Sequence, residues 1–558
     1  MESTFRLDAQ VVFLFLFMGG YFLFKHAFKN KDKRLAVISY VLGFVFSAFM
    51  IIGMPLRTNA HYPVLDIWGY LLVILRFGTY GIAFGAIILI AYKWMLNYIS
   101  LQKTPLKETK LSKISGNFFV LLIFFIICWL PIWIAFYPGS FTADSVTQFF
   151  EYYYNEFSTH HPIVHTLFLG YCMNLGIDTS AEGLPSVGLA IYSCVQLFLM
   201  SLIFAYALSW LRKQKAPLVP RLLLTVFFGI FPFFPLWNFS AQKDILFSAL
   251  IMLFVILLLD IWKDKGKGFV PVFKMISAVF IAVVMMLLRN NGIYALCVAL
   301  PFMIILFKGA RIRIATVVCS SILLTILTSN FLTNYFMAEV PCKIELLSVP
   351  LQQISRTLKD NKEAINLDTD GVIDTLYDIN PGDIYHPQIS DPVKWAAHYS
   401  EVDENLVPLF KLWIKMGISY PKSYLEAFVV QNLPYFVPGS PMLYNFDLEV
   451  KTLELYPVEN FNFMPTVKEA YSSYGKTLNF MGLPFVSLLS DTAFYVWLSL
   501  FLFGFAIYIK QQQVMAVLCF LFAIWLSCLA GPVAIIRYML AFFYVVPVLF
   551  VFMSTSKN

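Results

Sequence analysis

An all-α protein that crosses a membrane many times is the fold class this sequence predicts, on three observations. Hydrophobic residues make up 59% of the 558 and charged residues only 13%, about half the share of a soluble domain. Apolar runs of roughly 17 to 27 residues recur along the chain, each long enough for a hydrocarbon core ~30 Å thick. The linkers between them alternate in charge, as they do when Lys and Arg are kept on the cytoplasmic side.

Thirteen such runs are expected to span, at about 10–27, 35–54, 68–92, 117–137, 185–210, 218–237, 243–262, 272–288, 291–308, 314–335, 492–509, 513–530 and 533–552. Basic linkers (Lys25 to Arg34, Lys93 to Lys113, Arg212 to Arg221, Lys263 to Lys274, Lys308 to Arg313, Lys510, Lys557) define the cytoplasmic side. The alternation puts the N-terminus outside and the C-terminus in the cytoplasm, with the cell membrane as the location. Residues 10–27 read as an uncleaved first span, since the preceding segment sets Arg6 against Glu2 and Asp8. Pro162–Gly176 is apolar but short, and counting it as a span would invert every later basic loop. It reads instead as a helix lying in the outer interface, paired with an amphipathic helix that runs to about Tyr154.

Four parts follow: an N-terminal three-span extension (1–115), a membrane core (116–336) with an outer loop at 138–184, an extracytoplasmic domain (337–490) and three C-terminal spans (491–558). The 337–490 segment holds 19 of the 33 acidic residues against 11 basic ones, a balance suited to the outer face. Its apolar pieces, separated by Asp-, Asn- and Pro-rich turns, predict a small, mainly helical unit. Six of the eight cysteines sit in apolar runs, which argues for packed thiols rather than a disulfide framework. The net charge of +7 does not indicate a nucleic-acid partner, because the basic residues lie in short loops that report orientation.

The chemistry-bearing stretch is Tyr137-Pro-Gly-Ser-Phe-Thr-Ala-Asp144-Ser-Val-Thr-Gln148, a turn leading into the amphipathic helix. Asp144 has two readings, a helix N-terminal cap and a base at the membrane boundary. In His160-His161-Pro162-Ile-Val-His165, His161 and His165 share a helix face and could ligate a divalent ion with Asp144, or hydrogen-bond a phosphate or sugar. Lys243 stands beside Asp244, so mutual pairing competes with a ligand role. Arg289-Asn290-Asn291-Gly292 forms a turn, which leaves an outer Arg unexplained. Arg537 enters the last span, where an ionisable group is costly unless it snorkels or functions. Three cations facing one carboxylate and a histidine cluster suit transfer from a lipid phosphate: a base takes the acceptor's proton while cations hold the departing phosphate.

In order and topology these stretches resemble the GT-C glycosyltransferases, which include protein O-mannosyltransferases and aminoarabinose transferases. Tyr-Pro-Gly-Ser…Asp144-Ser…Gln148, His160-His161-Pro162, Gln242-Lys243-Asp244, Arg289-Asn290-Asn291-Gly292, Ser348-Val-Pro-Leu-Gln-Gln-Ile-Ser-Arg356 and Arg537-Tyr538 look like a bacterial membrane family of that class, over roughly Phe118 to Val551. The resemblance implies a GT-C-like bundle with Asp144 as catalytic base. It implies substrate binding by Gln148, His160, His161, His165, Lys243, Asp244, Arg289, Asn290, Asn291, Arg356, Arg537 and Tyr538. The implied donor is a polyprenyl-phosphate-linked sugar and the acceptor a lipid or cell-envelope glycopolymer, all within membrane lipid. No cofactor is certain; a divalent metal on Asp144, His161 and His165 is the one this arrangement offers. The acidic pair of the O-mannosyltransferases is here Asp144-Ser145, so their acceptor class does not carry over. A glycolipid transporter or flippase, a glycan polymerase or ligase, and a membrane sensor are the competing readings.

Overall fold

The computed structural model describes residues 32–101, 109–179, 185–264, 269–446, 461–478 and 483–555, with Lys25, Leu448 and Val458. The expected first span, 10–27, lies outside them except at Lys25. Among the described residues ten helices are long and apolar enough to cross a membrane, and no strand forms. The protein is a multi-pass helical membrane protein.

In chain order the helices used below are α1 (Lys33–Gly53), α2 (Ile67–Leu101), α3 (Phe118–Ala135), α4 (Ala143–Tyr153), α5 (Ile163–Thr179), α6 (Pro185–Lys213), α7 (Leu218–Ile230), α8 (Phe233–Asn238), α9 (Lys243–Lys263), α10 (Phe269–Leu288), α11 (Asn291–Leu306), α12 (Arg311–Tyr335), α13 (Ser348–Asp360), α14 (Leu406–Ser419), α15 (Pro421–Asn432), α16 (Thr492–Ile509), α17 (Gln512–Leu529) and α18 (Leu540–Met553).

Two expected spans depart from a single long helix. The run 218–237 breaks at Phe231-Pro232, because a residue before proline is driven out of the helical region; Phe231 sits at φ −64°, ψ 124°. The two pieces still cover the length of α3. Arg221 donates to Ser112 Oγ (2.7 Å) near one end of α3, and Phe239 O accepts from Ser140 N (3.1 Å) beyond the other. The run 291–308 becomes the 16-residue α11, and the Arg313 side chain beyond it reaches Asp264 O, at the far end of α9, at 2.5 Å. α9 is the axis of the bundle: most of its side chains are buried against α6, α10, α17 and α18. The N-terminal pair α1 and α2 packs backbone to backbone at Gly43, where an added Cβ would lie 2.3 Å from Gly85 N.

The amphipathic segment and the short apolar one form α4 and α5, packed on each other. Residues 343–435 build a helical unit with its own core, including Leu351, Ile354, Val372, Val393, Leu412 and Met416. It is stitched to the loop that precedes Arg537. Ser390 N donates to Pro532 O (2.9 Å), Gln431 Nε2 to Gly531 O (2.7 Å), and Ile535 N to Tyr435 Oη (3.1 Å). This docking places the entry to α18, and with it Arg537.

A candidate catalytic site at the ends of five helices

The stretch before α4 is fixed by pairing with the stretch before α9. Ser140 N donates to Phe239 O, Ala241 N donates to Ser140 O (3.1 Å each), and the two serines Ser140 and Ser240 share a hydroxyl contact at 3.0 Å. Ser145 Oγ donates to Ala241 O, and Ser193 Oγ to Pro138 O at 2.7 Å. These bonds bring Asp144, in the first turn of α4, beside Lys243 and Asp244, the first residues of α9. The cap position of α4 belongs to Thr142, so Asp144 is not an N-terminal cap.

Asp144 is about one third exposed, at 34%, and its carboxylate accepts from Arg537 Nη2 at 3.1 Å. Asp244 is 1% exposed and lies between two arginines: its Oδ1 contacts Arg289 Nη1, and its Oδ2 is 3.8 Å from Arg537 Nε. Tyr538 completes the pair of arginines, with its ring centroid 4.1 Å from the Arg289 guanidinium carbon and 5.4 Å from that of Arg537. Lys243 does not pair with Asp244. Its Nζ donates to His161 Nδ1 at 3.1 Å. The Arg289–Asp244–Arg537–Asp144 chain therefore links the end of α10, the first turns of α9 and α4 and the entry to α18 by charge, in addition to the apolar packing of α9 on α10 and α18.

Behind Asp144 runs a buried hydrogen-bonded line. Gln148 Nε2 donates to Asp144 O (3.1 Å), and Gln148 Oε1 lies 2.6 Å from His165 Nδ1. His165 Nε2 lies 2.8 Å from Tyr192 Oη, which donates to Gln196 Oε1 (3.0 Å), and Gln196 Nε2 donates to Asn238 O and Ser240 O. Gln148 and His165 thus hold α4, α5, α6 and the α9 entry in register. Thr166 Oγ1 links the line to Glu151 Oε2 at 3.5 Å.

The field in this site is uneven. Burial acts to raise the Asp144 carboxyl, but Arg537 and then Lys243 outweigh it and hold the group well below the usual carboxylate range. Burial, and next the Lys243 charge, push His161 and His165 down to about 3, so both are neutral near pH 7. Burial pushes Glu151 up to about 7.

The structure places the expected residues unequally. Asp144, Gln148, His161, His165, Lys243, Asp244, Arg289, Arg537 and Tyr538 gather here, while His160 is exposed and packs edge-on against His161, with ring centroids 4.7 Å apart. Asn290, exposed, takes the cap position of α11 and Asn291 begins it, directly after Arg289 in the turn that follows α10. Arg356 is elsewhere. On α13 it donates to Asp360 (2.6 Å), Glu426 (2.8 Å) and Ala60 O (2.7 Å), and its Nη2 lies 2.8 Å from His61 Nδ1. It ties the turn after α1 to the helical unit, apart from the Asp144 cluster. Glu151 follows Asp144 on the same amphipathic segment but farther from the membrane plane; Tyr192 and Gln196 were not expected here, and their spacing, four apart within an apolar run, was the available signal.

The metal set expected from sequence does not fit. Both ring nitrogens of His165 are engaged, His161 Nδ1 faces an ammonium, and Arg537 and Lys243 would repel a cation at Asp144. Among the described residues the ligand atoms that do gather are those of His61, Asp360 and Glu426, and the Arg356 guanidinium already bonds all three.

No curated protein and no solved structure matches the chain. One family model does, over residues 154–558, beginning ten residues after Asp144 and taking in the histidines, Lys243 and both arginines. The chain belongs to that family, DUF6020, described as a family of unknown function.

Proposed function

We propose that this protein is an inverting glycosyltransferase that moves a sugar from a polyprenyl-phosphate donor to a lipid or cell-envelope glycopolymer acceptor on the outer face of the cell membrane. The observation that carries this reading is a partly exposed carboxylate, Asp144, set among Arg537, Arg289 and Lys243 where apolar helices end. In the reaction Asp144 takes the acceptor hydroxyl proton, and the acceptor oxygen bonds to the anomeric carbon. The bond from that carbon to the phosphate oxygen breaks, its electron pair staying on the phosphate, which Arg537, Arg289 and Lys243 hold. His161 orients Lys243, and Asp244 holds the two arginines at one spacing. Topology follows the charge alternation: thirteen spans with α7 and α8 crossing as one, α4 and α5 in the outer interface, the 343–435 unit outside and the C-terminus in the cytoplasm.

The test is mass spectrometry of surface glycans with and without the gene, where loss of one sugar substituent names donor and acceptor together. With that pair in hand, Asp144→Asn should lower transfer by about 10²–10⁴-fold at unchanged protein level. Near-normal transfer by that variant would remove the base from the proposal.

A further inference from the structure

Arg537 has two carboxylate neighbours that differ in freedom. Asp244 is 1% exposed, sits in the first turn of the axial helix α9 and is gripped by Arg289. Asp144 is 34% exposed and lies on the short amphipathic α4, where Gln148 bonds its main chain and leaves its carboxylate to Arg537. One counter-ion is fixed and the other is exchangeable.

We infer that the Asp144 carboxylate occupies the face of Arg537 to which a phosphate ester docks, so that anion and carboxylate exchange there and the base is freed only once the donor has bound. The second half rests on the glycosyltransferase reading; the exchange itself does not.

Three observations support it. Three cations (Arg289, Arg537, Lys243) gather beside two carboxylates (Asp144, Asp244), with Glu151 close enough to feel the Lys243 charge, and the charges acting most strongly on Asp144 are the cations Arg537 and Lys243. Arg537 is also held loosely on its buried side, where its Nε makes no hydrogen bond and the nearest carboxylate oxygen, Asp244 Oδ2, stands 3.8 Å away. A carboxylate tied to a guanidinium is also a weak base, which conflicts with the task of taking a hydroxyl proton.

Exchange resolves that conflict. A docked phosphate takes Arg537 from Asp144 and sets negative charge nearby, and both changes strengthen Asp144 as a base. The charges balance through the step. A sugar phosphodiester with one negative charge and ionised Asp144 become a phosphate monoester with two and neutral Asp144. The charge Asp144 gives up appears on the phosphate, and Arg537 already faces it.

The test measures binding of farnesyl phosphate, and separately inorganic phosphate, to the full-length protein in lipid nanodiscs by calorimetry. Asp144→Asn and Asp144→Ala should each bind farnesyl phosphate about tenfold more tightly than the wild type, equivalent to about 1.4 kcal/mol. Arg537→Gln should lose binding and Arg537→Lys retain part of it. Unchanged or weaker binding in folded Asp144 variants, judged by their melting curves, would overturn the exchange. If those variants bind more tightly but the wild type transfers no sugar from any polyprenyl-phosphate donor, the exchange stands and the glycosyltransferase reading falls. Transfer without tightening leaves that reading intact and removes the exchange. Equal affinity for inorganic and farnesyl phosphate would assign the anion to a free phosphate instead of a lipid headgroup.

Discussion

Arg537 reaches Asp144 at 3.1 Å through Nη2 while its Nε stands 3.8 Å from Asp244, so one guanidinium serves an exposed acid and a buried one. Asp144 lies on α4, Asp244 on α9 and Arg537 at the start of α18, elements distant in sequence. The buried acid meets the arginine from α9, and the partly exposed acid meets it from α4.

Asp244→Asn should destabilise the protein far more than Asp144→Asn does. It leaves Arg289 and Arg537 facing each other without their shared counter-ion, a change that costs about 3–5 kcal/mol when a buried partner is removed. Thermal unfolding in detergent should show a clear drop for Asp244→Asn and little change for Asp144→Asn. Equal melting temperatures would mean that Asp244 does not hold the arginines.

Glu151 links the buried line to pH. Its folded value of about 7 lies above the unfolded ~4.5, so the folded state binds the extra proton between those values and stability falls as pH rises through that window. His161 and His165, lowered to about 3 from ~6.5, act in the opposite sense: their contribution is lost as pH falls from about 6.5 towards 3. Melting temperatures of the wild type and Glu151→Gln across pH 4.5–7 separate the two. The two histidines outweigh one glutamate, so the wild-type melting temperature should rise with pH and that of the variant should rise more steeply; identical slopes would show that Glu151 does not titrate there.

Arg356→Gln should loosen the turn after α1 from the helical unit without touching the Asp144 cluster. Glu426 is 1% exposed and would lose its closest cation, keeping Lys422 at 3.8 Å, at a cost of about 3 kcal/mol, the lower end of what breaking a buried pair costs. Limited proteolysis should cut faster around residues 54–66, and any transfer activity should persist in the folded fraction. Wild-type cleavage with abolished transfer would return Arg356 to the substrate.

Topology is testable with single cysteines at Lys213 and Asn361 on a cysteine-free background, since Cys194, Cys297 and Cys319 are exposed on helices. An impermeant thiol reagent applied to intact cells should label position 361 and spare 213. Labelling at 213 would invert the orientation proposed above.

The spans were legible because hydrophobic length is a local property: a run of apolar residues meets the bilayer requirement wherever its neighbours go. Ten of the thirteen expected runs coincide with helices long enough to cross, and the break at Phe231 was written in Pro232, although hydropathy alone runs through it. The polar stretches were also visible, since charge within or beside apolar runs is rare enough to stand out. Which of them meet is a different matter. Arg356 stands in a polar stretch and Arg537 in an apolar one, and neither stretch names its partner: one clamps Ala60, His61 and Glu426 and the other reaches Asp144. The partners lie hundreds of positions away, and pairing depends on which helix faces pack and on the docking of the 343–435 unit against the loop before α18. By itself the sequence determined a many-span helical membrane protein with polar groups gathered at helix ends. Only the tertiary structure decided that Asp244 is a fixed counter-ion, that His165 is spent on Gln148 and Tyr192, and that Asp144 is the acid left within reach, because burial and long-range pairing exist only once the helices are assembled.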